Sequence, residues 1–237
     1  MKFNAVLKNE QLKVNRMYII PLSVFLINSI LAVVVFIYYF NISNTASVKS
    51  TINYYDVIKV KNYATYAHLF VIATILPYIS SNSICSDKQN EGLYIIFLSG
   101  IKKYEYVLGK VFSHIFSTIL IIISTYPIYL TTHIFGGFDV QDNLIYLSLL
   151  FSNIIFISSI CNFISSINFE INTSQIFCYL ISVVTEVIML ILYMYILKSD
   201  RLAIFTVDAA LIFLSICFFI LTCISLSMYD IGKGVKS

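Results

Sequence analysis

Six apolar runs divide the chain, at residues 17–40, 63–84, 111–135, 144–167, 176–197 and 202–228. A helix rises about 1.5 Å per residue, so roughly 20 apolar residues cross a hydrocarbon layer of about 30 Å, and each run meets that length. In lipid, every backbone amide and carbonyl must be satisfied within the protein, and a helix does this inside its own segment. Only 11% of the 237 residues are charged and 59% are hydrophobic, whereas a soluble domain carries about 25% charged residues. The expected fold is an all-α integral membrane protein with six transmembrane helices. No linker or internal repeat divides it, so residues 1–237 read as a single transmembrane domain. With tryptophan absent and 18 tyrosines present, tyrosine has to supply the interfacial aromatic belt.

Six spans place both termini on one side. That side holds Lys2, Lys8, Lys13, Arg16, Lys88, Lys102, Lys103, Lys110, Lys233 and Lys236, which is ten of the 15 basic residues; Lys49, Lys59, Lys61, Lys198 and Arg201 lie opposite. The excess of Lys and Arg on inner loops predicts cytoplasmic termini and a cytoplasmic loop at 85–110. Residues 1–16 place Phe3, Val6, Leu7 and Val14 on one side of a helical projection and Lys2, Lys8, Lys13 and Arg16 mainly elsewhere. This pattern predicts an amphipathic helix on the inner leaflet, its basic residues toward anionic headgroups. A signal peptide is the rival reading, but the following run is long and no small-residue cleavage site follows it. Residues 41–62 read as the longest outer loop; 136–143, 198–201 and the inner loop 168–174 are short.

The stretch 85–110 differs from everything around it. Its apolar core, residues 93–98, rises only about 9 Å as a helix and cannot span the layer. Ser86 and Gln89 have the spacing of a capping box, and Gly100 stands where a left-handed residue ends a helix. A second segment runs from Lys102 and Lys103 through Gly109 and Lys110 into the third span. Glu91-Gly92, Leu98-Ser99 and Gly109-Lys110 ahead of a span resemble the cytoplasmic loop of ABC-2-type transporter permeases. Two departures stand out: Leu93 occupies a position where that family has threonine, and the proline frequent near Gly100-Ile101 is absent. The resemblance covers about 30 residues. It implies a coupling helix that fits a cleft of a separate ATPase subunit, using Glu91, Gly92, Tyr94, Phe97, Leu98, Lys102, Lys103 and Glu105.

No phosphate-cradling loop is present, because the seven glycines are scattered and Gly232-Lys233-Gly234 does not fit one. ATP and magnesium would therefore belong to a partner ATPase, and no cofactor is expected in this chain. No Cys/His spacing resembles a zinc site, and neither a His-Glu-x-x-His nor a membrane serine-protease motif occurs. No catalytic residue is assigned. The five cysteines lie in or beside apolar runs, which argues against a disulfide framework. His68, His114 and His133 read as packing residues near span ends; Pro77 and Pro127 should kink the second and third spans.

Charge within the spans is rare. Glu186 in the fifth is a candidate for the translocation path or a dimer seam, since an ionisable group at membrane depth usually faces a partner or a wet route. The packing alternative, a carboxyl bonded to a neighbouring helix, has equal weight. Asp208 lies close enough to a span end to reach water. The fourth span is rich in Ser and Asn, including Asn153 and Asn162, and reads as buried in the bundle or lining a cavity.

The resemblance implies the permease subunit of an ABC exporter in a bacterial cell membrane, pairing with a second permease subunit as a homodimer or heterodimer. Exporters of this kind with small outer loops resemble those moving antimicrobial or cytolytic peptides or protecting against them, and some drug and lipid-linked glycan exporters; peptide export or self-protection ranks first. The Ile, Asn, Lys and Tyr bias accords with a low-GC Gram-positive source. Membrane lipid is an expected partner, nucleic acid is not, and the alternative is a non-transporting immunity or sensor protein.

Overall fold

The computed structural model describes all residues except 1, 16–17, 50–53, 91, 135–139, 168–169, 197–200 and 235–237. The expectation for Glu91 lies outside this set, and those for the side chains of Lys2, Phe3, Val14, Arg16 and His133 lie outside the described side chains. Among the described residues the elements are all α-helical: α1 (Lys2–Asn15), α2 (Ile19–Lys49), α3 (Tyr54–Ser81), α4 (Ser83–Gln89), α5 (Gly92–Leu98), α6 (Lys103–Ile134), α7 (Val140–Ser166), α8 (Ile171–Ile196) and α9 (Arg201–Gly234). Six of these, α2, α3 with α4, α6, α7, α8 and α9, contain stretches long and apolar enough to cross a membrane. The chain is a multi-pass membrane protein.

Several boundaries differ from the sequence reading: α7 starts at Val140, inside the expected outer loop 136–143, and α8 at Ile171, inside the expected inner loop 168–174. The expected outer loop 41–62 is largely helical, because α2 runs to Lys49 and α3 starts at Tyr54. With 31 and 28 residues, these helices reach roughly 40–47 Å, more than the hydrocarbon thickness, so their polar ends extend beyond it. Polar composition there does not mark the end of either helix. The third span likewise begins inside a longer helix, α6, whose first turns carry Lys103, Glu105 and Lys110.

Burial separates an inner layer from an outer one. Of their spanning stretches, 71% is buried in α3–α4 and 61% in both α6 and α7, against 19% in α2, 28% in α8 and 22% in α9. Helix α7 packs on α9, α3 on α8, α7 and α6, and α2 against α6 and α3. Phe25 and Phe36 of α2, Ile176 and Val187 of α8, and Phe213 and Ile220 of α9 stay exposed, as suits faces solvated by lipid.

Polar side chains fill the interior in turn. Ser152, Asn153, Ser158, Ser159, Asn162, Ser165 and Ser166 of α7 are all buried, and small polar groups let helices approach and bond across. Asp208 is buried rather than water-exposed. Ser148 and Ser152 each donate to one of its carboxylate oxygens at 2.6 Å, clasping α7 to α9. His68 bridges Tyr146 at 2.7 Å and Thr125 at 2.6 Å, a packing role. Pro77 and Pro127 lie inside α3 and α6.

Candidate functional site at the base of the α4–α5 loop

Helix α3 ends at Ser81 and α4 restarts at Ser83 after Asn82. The expected capping box at Ser86 does not form: Ser86 sits inside α4 and its hydroxyl donates to the Ser83 carbonyl. The helix starts earlier because a distant residue satisfies its first amides. Ser165 of α7 accepts from the amides of Ile84 at 3.2 Å and Cys85 at 2.9 Å. Ser83 donates to the Asn162 carbonyl oxygen at 3.0 Å, Gln175 to the Asn82 side chain at 3.0 Å, and Lys88 to the Ser166 carbonyl. Orphan amides at a helix start need a partner, and here tertiary contacts supply it.

Beyond α4, the seven-residue α5 has two faces. Leu93 is fully buried and Phe97 half-buried, while Tyr94, Ile95 and Leu98 are 51%, 66% and 68% exposed. Gly100 follows at φ 74°, the left-handed turn expected of a residue without a Cβ. Helix α6 then begins at Lys103, and the Glu105 carboxylate accepts from the Lys102 amide at 3.2 Å, one half of a capping box.

Between α5 and the bundle lies a buried ionic cluster. The Lys110 ammonium is wholly inaccessible and lies 2.7 Å from Asp87 and 2.9 Å from Glu10. It also donates to the Ser83 carbonyl at 2.7 Å. Lys13 reaches the same carboxylates, at 3.1 Å from Asp87 and 3.2 Å from Glu10. Tyr106 donates to Asp87 at 2.7 Å, and its ring lies 5.1 Å from the Lys110 ammonium. Two lysines thus balance two carboxylates, the condition under which charge survives burial. Burial pulls the Lys13 ammonium down, but the pull of Glu10 and Asp87 outweighs it and holds its pKa above the usual lysine value.

This cluster joins three elements. Glu10 and Lys13 come from α1, Asp87 from α4, and Tyr106 and Lys110 from α6. The Phe97 ring of α5 meets Tyr106 edge-on at a centroid distance of 5.8 Å. Contact runs without a gap from the exposed face of α5 through Phe97, Tyr106 and Asp87 to α1 and α6. Gly109 makes the α1 approach close: a Cβ there would sit 2.8 Å from Val6 Cγ1 and 3.0 Å from Val6 Cβ. Helix α1 accordingly packs on α6, burying Val6 and Glu10 while Lys8 is exposed. Lys13, expected to face headgroups, turns to carboxylates instead.

The sequence-derived residues fall into separate places. Phe97 joins the cluster, Tyr94 and Leu98 face outward, and Lys103 and Glu105 lie in the first turn of α6 with Lys102 just before it. Asn153 donates to Glu186 at 2.7 Å, whereas Asn162 lies about 13 Å further along α7 and belongs with Ser83. None of the three lines the apolar groove of about 660 Å³ between α6 and α7, whose walls include Ile119, Tyr126, Leu147 and Phe151. Glu10, Lys13, Asp87, Tyr106 and Lys110 had no local pattern marking them as a group. The available signal was acidic residues set within basic segments at both ends of the pairing. Among the described residues no three His, Cys, Asp or Glu side chains gather as a metal site. No family model, curated protein or solved structure matches the chain.

Proposed function

We propose that this chain is the membrane-spanning subunit of an ABC-2-like exporter, driven by ATP hydrolysed on a separate ATPase subunit. One observation carries the reading: a short helix between two spans exposes Tyr94, Ile95 and Leu98 and is tied at its back, through Phe97 and Tyr106, to a buried ionic cluster spanning α1, α4 and α6. An exposed apolar face on a rigid base suits a part that takes force from a docked protein. A freely mobile loop would dissipate it.

On this reading α5 is the coupling helix, on the cytoplasmic side as the Lys and Arg distribution favours. The ATPase binds the exposed side chains of Tyr94 and Leu98, Phe97 carries the load inward to Tyr106, and Glu91, Gly92, Lys102, Lys103 and Glu105 are the further candidates for contact. ATP-driven closure displaces α5, and the cluster passes the displacement to α6 and α1. The ATPase must bind two bundle arrangements with different affinity, since only differential binding shifts a population. Two permease subunits enclose the route, and Glu186, Asn153 and Asn162 are candidates for its polar lining or for the seam. Amphipathic cytolytic peptides are the substrate class in view, for export or self-protection.

Two measurements test this, one on the isolated permease and one on its complex with the ATPase. The Tyr94→Ala/Leu98→Ala variant should keep the melting temperature of the isolated permease, because both side chains are exposed, yet lose most peptide-stimulated ATP hydrolysis. Stimulation equal to that of the unaltered protein would refute the coupling role.

A further inference from the structure

Glu186 lies within the apolar stretch Ile171–Ile191 of α8 and is buried against α7. The Asn153 amide of α7 donates to its Oε1 at 2.7 Å. The other oxygen of each group, Glu186 Oε2 and Asn153 Oδ1, is buried and has no hydrogen-bond partner. An ionised carboxylate only accepts, and so does an amide oxygen, so neither can satisfy the other. Ser182, one turn earlier on α8, has a buried hydroxyl that bonds to neither. Among the described residues no cation faces Glu186. Ser174 of α8 donates to the Ser81 carbonyl of α3, which sets Glu186 level with about residue 69 of that helix. The titratable groups of α3 near this level are Tyr66 and His68, and His68 bridges Tyr146 and Thr125. Asp208 of α9 is held by Ser148 and Ser152, and Cys161 of α7 meets Cys178 of α8 two turns away. Asp87 and Lys88 of α4 lie at the α5 end of the bundle, bonded to Lys110 and to the Ser166 carbonyl.

One proton settles both oxygens. We propose that Glu186 is a proton-binding site: protonated on Oε2, it donates to Asn153 Oδ1 while Oε1 accepts from Asn153 Nδ2, a cyclic acid–amide pair that joins α7 to α8. The proton comes from water and cancels the charge, and a neutral acid at membrane depth costs far less than a carboxylate without a cation. Releasing the proton to water breaks the O–H bond to Asn153 and leaves two buried acceptors facing each other, which weakens the seam. The α7–α8 contact is therefore tighter with the proton than without it. A sodium or potassium ion between the two oxygens is the rival occupant, and the test separates the two.

The test uses the isolated full-length chain in neutral detergent, without ATPase, and reads the infrared C=O stretch of a protonated carboxyl at neutral pH. The unaltered chain should show this band and Glu186→Gln should lose it. Asn153→Leu should move it to higher frequency, because the carbonyl loses its N–H donor. Glu186→Gln makes the same two bonds through its own amide and should keep the melting temperature. Exchanging sodium and potassium for choline should change neither the band nor the melting temperature. Absence of the band from the unaltered chain, a band of undiminished size in Glu186→Gln, or an unshifted band in Asn153→Leu would each overturn the proposal. So would a clear fall in melting temperature in Glu186→Gln, or a fall on cation exchange seen in the unaltered chain and not in that variant. Because neither ATPase nor substrate is present, these outcomes are independent of the function proposed above.

Discussion

Lys110 holds two carboxylates that would otherwise face each other inside the protein. Lys110→Met keeps most of the aliphatic stem and removes the charge. Of the cluster's two cations Glu10 and Asp87 then keep Lys13, half-exposed at the rim, and Asp87 keeps the Tyr106 hydroxyl. Breaking a buried pair from one side costs about 3–5 kcal/mol, more than an exposed pair contributes. The expected result is a large fall in melting temperature together with faster proteolysis of α1, and Lys8→Met serves as the unaffected comparison. Glu186 gives a second residue-scale test. Asn153→Leu removes its amide donor and should cost about 1–3 kcal/mol, while the Asn153→Leu/Glu186→Leu pair should recover most of that loss. If Glu186 lines the route, the double variant folds and fails to transport. Normal transport by a stable double variant would leave the pair a packing contact.

The α1–α6 contact is decided by a competition at Gly109. Alanine favours the interior of helix α6 by about 1 kcal/mol over glycine. Against this, its Cβ would press on the stiff, branched Val6, and overpacking costs about 1–3 kcal/mol. Gly109→Ala should therefore loosen α1 without unwinding α6, seen as protection from hydrogen exchange lost in α1 and kept in α6. Elements of this kind were partly legible in advance. The spans follow from length and apolarity, and the break at Gly100 from its freedom at positive φ. The α4 start was not legible, because its first amides bond to Ser165, 80 residues away. Nor was the docking of α1 on α6: a helical projection of residues 1–16 shows an apolar side, but it cannot tell lipid from Val6's actual neighbour, Gly109. Glu10 and Asp87 look like solvated charges until the fold brings Lys110 between them.

At the scale of the molecule, the inner helices α3, α6 and α7 carry the polar contacts, and α2, α8 and α9 present apolar faces outward. That inversion of a soluble core is what a lipid solvent demands. The account of function adds that one end of this bundle carries a helix, α5, facing the cytoplasm and open to an ATPase. The most direct test is labelling of Tyr94→Cys by a membrane-impermeant maleimide, in a background with Cys217 and Cys223, the natural cysteines that are not fully buried, replaced. The account predicts no labelling of intact cells, labelling once the membrane is opened, and protection of that site when the partner ATPase is co-produced. Labelling from outside intact cells would contradict it.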